Sequence, residues 1–102
     1  MSMKKKYLKN KPVCKVTFSI APEEIPIPKN VYLVGDFNNW NLKTDKMKPL
    51  KNGTFTTTID LTIGQAYQFR YLMDGARWEN DDSADAYEYS DFGNCDNSVV
   101  II

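Results

Sequence analysis

Two tryptophans stand in polar, turn-rich surroundings: Trp40 closes Phe37-Asn38-Asn39-Trp40, and Trp78 follows Asp74-Gly75 among Arg77, Glu79 and Asn80. An indole exposed on a rigid scaffold offers a flat apolar platform for the CH-rich face of a pyranose, while its N–H stays hydrated or bonds a hydroxyl. A second reading stands beside it, that each Trp is core, as a buried Trp often is in β-sandwiches. Arg70 falls on the polar side of an alternating segment, where a guanidinium could present several donors to adjacent hydroxyls or simply be solvated. Asn94, Asp96 and Asn97 could hydrogen-bond a sugar, although turn formation alone accounts for them.

Catalysis has little to work with. The chain has no histidine to activate a nucleophile or move a proton, and neither familiar glycine-rich phosphate loop. A glycosidase needs two opposed carboxylates at a defined separation, one with a raised pKa. The acids between Asn80 and Asn97 lie instead in a polar stretch that reads as a solubilising or charge-balancing segment. The same stretch lacks the regular oxygen spacing of a calcium loop. Cys14 and Cys95 have no CxxC spacing, and without histidine the usual zinc sets cannot be assembled, so neither metal nor cofactor is expected. Cys14 reads as a small buried hydrophobe; a Cys14–Cys95 disulfide is compatible with the sequence but not required.

The 102 residues, 42% of them hydrophobic, suffice for one modest core. No apolar run is long enough to span a bilayer, and Lys4, Lys5 and Lys6 precede no hydrophobic signal core, so a soluble, cytoplasmic protein is expected. Formal net charge is zero, yet residues 1–51 hold 11 Lys against 4 acids, a net +7, and residues 52–102 hold 2 Arg against 9 acids, a net −7. Trp78, Tyr87 and Tyr89 lie in the acidic half, where a phosphate backbone would be repelled; a nucleic-acid partner is not expected.

The elements that must position these residues are strands. In VCKVTFSI, residues 13–20, Cys14, Val16, Phe18 and Ile20 alternate with polar residues. The stretch Ala21 to Lys29 contains Pro22, Pro26 and Pro28 and reads as an irregular crossing. Asn30 to Gly35 is a strand apolar on both faces. After a loop from Asp36 to Asp45, a short strand at Met47 to Leu50 runs through the Asn52-Gly53 hairpin signal into TFTTTIDL, where Phe55, Ile59 and Leu61 share a face. In AYQFRYLM, Tyr67, Phe69, Tyr71 and Met73 point inward and Gln68 and Arg70 outward; Asp74-Gly75 turns this strand onto Arg77, Trp78 and Glu79. Asn80 to Asn97 reads as loop and SVVII as the last strand. About seven strands with no helical period predict an all-β, immunoglobulin-like sandwich over residues 13–102, preceded by a flexible basic arm at residues 1–12.

The segments VYLVGDFNNWN, YQFRYLMDGARWENDD and GNCDNSVV, in that order, resemble the isoamylase N-terminal (early set) domain, carbohydrate-binding module family 48, and are similar to the glycogen-binding module of AMP-activated kinase β subunits. The resemblance covers roughly residues 13 to 102. It implies an early-set sandwich without catalytic activity, whose binding members hold α-1,4-glucan across one face. It places the stacking tryptophans on Trp40 and Trp78 and the basic hydrogen-bonding residue on Arg70. It places an apolar side chain that projects into the glucan on Phe92, with further contacts at Asn94 and Asp96. The chain departs from the kinase modules there, which have threonine and asparagine at Asn94 and Asp96, and it carries one inserted residue before Trp78.

Many members precede a catalytic barrel, which alone needs roughly 250 residues; this chain is then either a stand-alone binding or regulatory module or a fragment. The leading expectation is a non-catalytic module for glycogen, starch or a maltooligosaccharide. The alternative is a module that docks a glucan-metabolising enzyme through its aromatic patch or basic arm without binding sugar. A small hydrolase is the third and least supported reading. The expected state is a monomer, or a weak homodimer through edge strands.

Overall fold

A computed structural model of the chain describes residues 1–22, 28–91, 93 and 95–102. Within them the protein is all-β, with no α-helix and ten strands: β1 (Ser2–Tyr7), β2 (Val13–Ile20), β3 (Val31–Gly35), β4 (Asp45–Lys46), β5 (Lys48–Pro49), β6 (Phe55–Thr62), β7 (Ala66–Met73), β8 (Arg77–Glu79), β9 (Ala86–Ser90) and β10 (Cys95–Ile101). Two antiparallel sheets form the sandwich. One runs β1-β2-β6-β5; the other runs β4-β3-β7-β10-β9, with β8 also paired to β7. Of the expected proline-rich crossing, residues 23–27 lie outside the described residues.

The alternation in β2 and β7 is what brings the sheets together. Cys14, Val16, Phe18 and Ile20 are fully buried, as are Phe69, Tyr71 and Met73 opposite them. Phe18 meets Phe69 edge-on with centroids 5.1 Å apart, and Phe69 meets Tyr71 at 5.8 Å, the geometry that the ring quadrupole favours. The Tyr71 hydroxyl donates to Asp81 Oδ2 at 2.6 Å, so the polar tip of a buried ring is satisfied. Both cysteines are free, Cys14 in this core.

Three sequence expectations are corrected. Residues 2–7 are not part of a flexible arm: β1 pairs with β2 from Ser2↔Ser19 to Tyr7↔Cys14. Met3 packs against the core, and Lys5 donates to Asp85 Oδ2 at 2.6 Å and to the Ile101 carbonyl at 3.0 Å. A strand with lysines on both faces gives no alternation, which is why it resembles a solvated arm. The stretch Asn80 to Asn97 is not all loop, because Ala86–Ser90 pairs with β10 as an edge strand whose side chains are mostly exposed. The last strand accordingly begins at Cys95 rather than Ser98.

β7 is the strand that builds the outer face. One of its edges carries β3 from Phe69 to Met73. Its other edge changes partner along its length: β10 pairs at Ala66–Phe69 and β8 at Tyr71–Met73. Arg70 stands at the changeover. Below it Asn80 Nδ2 donates to the Asp96 carbonyl and Ser98 Oγ donates to Asn80 Oδ1, closing the fork between β8 and β10.

Candidate functional site

Residues opposite one another in an antiparallel pair share a face. The outward positions of β7 are Gln68, Arg70 and Leu72, and the pairing of Leu72 with Trp78 puts Trp78 on the same face. Asn97 and Val99 of β10 join them, since Ser98 and Val100 pair with the inward Phe69 and Tyr67. Of this face, Gln68, Arg70, Trp78 and Asn97 line a groove of about 500 Å³ together with Asp36 and Trp40 from the loop after β3.

Trp40 reaches the groove through an unusual piece of backbone. Asp36–Asn38 makes one 3-10 turn after β3, and then Asn39 (φ 56°) and Trp40 (φ 57°) are both left-handed. Asn tolerates this region; a bulky residue is rare in it. The turn is tied down by Asn38, whose Nδ2 donates to the Leu33 carbonyl (2.9 Å) and to Asp45 Oδ2 (2.7 Å) while its Oδ1 accepts from Gly35 N (3.1 Å). Trp40 N donates back to the Gly35 carbonyl at 2.9 Å. Gly35 is required for a different reason: a Cβ there would lie 2.5 Å from the Gln68 carbonyl oxygen and 2.7 Å from Phe69 Cβ.

Trp78 arrives by a hairpin. Asp74 (φ 54°) and Gly75 (φ 69°) supply consecutive positive φ angles, and Ala76 N donates to the Met73 carbonyl at 3.1 Å. Asp74 Oδ1 accepts from the backbone N–H groups of Lys29 and Asn30, fixing the hairpin to the chain leading into β3. Trp78 is 37% exposed, so this indole is neither core nor freely projecting. The Arg70 guanidinium carbon lies 4.6 Å from its ring centroid, a cation–π contact.

The floor is polar. Gln68 N donates to Asp36 Oδ2 at 2.7 Å, and Asn97 Nδ2 donates to Gln68 Oε1 at 3.0 Å. Asn97 is only 5% exposed, and its Oδ1, like Arg70 Nε, is buried with no hydrogen-bond partner among the described residues. A donor and an acceptor without a partner among the described residues thus lie on neighbouring strands.

The structure therefore brings Trp40, Arg70, Trp78 and Asn97 together. Asp96 is not among the residues lining the groove: it shares the register of Ser98, whose face is the core side of β10. Phe92 and Asn94 lie outside the described residues. Gln68 was legible as outward-facing from the alternation of β7; Asp36 carried no comparable signal, because its role depends on the turn geometry.

Residues 28–102 match the family described as the glycogen recognition site of AMP-activated protein kinase. The chain belongs to that family. The match begins just before β3 and runs through β10, so it includes all the strands and the loop that line the groove, while β1 and β2 lie before it. No curated protein sequence matches the chain. The glycogen-recognition family is one of carbohydrate-binding modules, and the two-sheet sandwich agrees with membership.

Proposed function

We propose that the chain is a non-catalytic α-glucan-binding module that holds glycogen, starch or maltooligosaccharide chains in the groove between Trp40 and Trp78. The observation that carries this reading is that one groove gathers both indoles, the Arg70 guanidinium and the buried Asn97 amide. Indole faces supply stacking surface for glucose rings, and the Arg70 guanidinium supplies donors for vicinal hydroxyls. Gly93 helps keep the floor open, as a Cβ there would lie 3.6 Å from Arg70 Nη2 and 3.0 Å from Cys95 Sγ.

Hydrolysis is disfavoured on the same ground. Among the described lining residues Asp36 is the one carboxylate, and both its oxygens accept hydrogen bonds from the protein. The buried Asp81 is engaged by Tyr71 and by the backbone N–H and hydroxyl of Ser83. Among the described residues the groove holds no opposed pair of the kind glycoside hydrolysis uses.

Isothermal titration calorimetry with maltoheptaose, beside a cello-oligosaccharide of equal length, tests the proposal. Saturable heat is expected for maltoheptaose alone, with affinity reduced about tenfold or more in Trp40→Ala or Trp78→Ala, equivalent to about 1.4 kcal/mol. Absence of any maltoheptaose signal from folded protein contradicts it. That result favours docking to a glucan-metabolising enzyme, for which the exposed aromatic edge at Tyr87 and Tyr89 on β9 is the available surface.

A further inference from the structure

Trp40 is held by a backbone hydrogen bond and by a side-chain one. Its left-handed conformation (φ 57°) is costly for a bulky residue and persists only where the surroundings over-determine it. Trp40 N to the Gly35 carbonyl fixes the chain at this point, but it leaves the side-chain torsions of the indole open. Asp36 acts on the indole itself. Its Oδ1 accepts from Trp40 Nε1 at 2.9 Å while its Oδ2 accepts from Gln68 N at 2.7 Å.

The second contact explains why the first can be rigid. β3 stops pairing with β7 at Gly35↔Phe69, so the N–H of Gln68 lies just beyond the last pair of that ladder. The Asp36 carboxylate takes that N–H and thereby extends the ladder with a side chain. A freely rotating carboxylate would be a poor anchor for an indole; one clamped to the central strand of the sheet is a strut.

We propose that Asp36 is a positioning residue, which transmits the rigidity of β7 to the Trp40 indole and presets that wall of the groove before ligand arrives. The assignment of the groove to α-glucan rests on the preceding proposal, but the strut does not. Its gain for binding is entropic: a side chain already immobilised does not have to be ordered by the ligand. Asp36 is itself exposed, so its removal opens no core cavity and the fold is expected to survive.

The test uses Trp78→Phe, in which Trp40 is the one remaining tryptophan, and reads time-resolved fluorescence anisotropy without sugar. With Asp36 present the indole should decay with overall tumbling alone. Asp36→Ala should add a fast component, and Asp36→Asn, which keeps one acceptor of the two, a smaller one. In the chain that retains both tryptophans, Asp36→Ala should weaken maltoheptaose binding about three- to tenfold, yet add nothing to the loss already caused by Trp40→Ala. An unchanged decay in folded Asp36→Ala overturns the proposal, and so does a full additive loss of affinity in the double variant. If maltoheptaose fails to bind the unsubstituted chain, the glucan reading falls while the anisotropy still decides whether Asp36 is the strut.

Discussion

At the scale of single residues, the loop between β3 and β4 depends on a few side chains that substitute for backbone ladder. Asn38 is the clearest, since it uses its amide oxygen and both amide hydrogens on Gly35, Leu33 and Asp45. Asn38→Ala leaves those groups short of partners and should lower stability by about 1–3 kcal/mol in urea unfolding. Gly35→Ala, forced against the Gln68 carbonyl and Phe69 Cβ, should cost a similar amount, about 1–3 kcal/mol, by overpacking. Tyr71 sets an alkaline limit. Burial, then the neighbouring charge of Asp81 and its hydrogen bond, hold the Tyr71 phenol well above its ordinary pKa of 10.0. Above that value the unfolded chain releases the proton while the folded chain retains it, so stability falls as pH rises from about 10 toward the folded pKa. Tyr71→Phe should flatten that decline in a stability-against-pH series, although it also lowers stability at neutral pH by leaving Asp81 Oδ2 without its donor.

At the scale of elements, legibility follows burial. β2, β3, β6 and β7 were readable because one or both faces meet the core, and hydrophobic alternation is the imprint of such a face. Val34 shows the point for β3: it pairs with outward Arg70 and is nonetheless fully buried, as a strand apolar on both faces requires. β1 and β9 are edge strands without an apolar alternation, β1 carrying lysines on both faces beside the single core-packed Met3 and β9 mostly exposed, and they were invisible for that reason. The candidate site divides the same way. Trp40, Arg70 and Trp78 were legible from residue type, strand parity and family motif, whereas preferring Asn97 over Asp96 required the register of β10, which a one-residue shift inverts. β1 can be tested directly. Met3→Ala removes a side chain packed on the core and should lower Tm by about 4–8 °C for each kcal/mol lost, whereas a loose arm would leave Tm unchanged.

For the whole molecule, the opposite charges of the two halves are interleaved rather than separated. Lys5 meets Asp85 at 2.6 Å and Lys15 meets Asp60 at 3.0 Å, each pair joining the basic half of the sequence to the acidic half. Such largely exposed pairs add little stability, typically about 0–1 kcal/mol each, but they prevent a strong field of one sign. A groove built from indoles, amides, one stacked guanidinium and the hydrogen-bonded Asp36 carboxylate should take a neutral polymer with little dependence on salt. Maltoheptaose affinity is expected to change less than about twofold between 0.05 and 0.5 M NaCl, because screening acts on charge pairs and the ligand has none. The central claim is that glucan lies between Trp40 and Trp78, and the side chains report on it themselves. The chain has 2 tryptophans, hence two indole N–H resonances in a ¹H–¹⁵N correlation spectrum. On titration with maltoheptaose both should shift with one common dissociation constant, and neither should move with a cello-oligosaccharide. Saturable maltoheptaose binding that leaves both indole resonances in place would contradict the account.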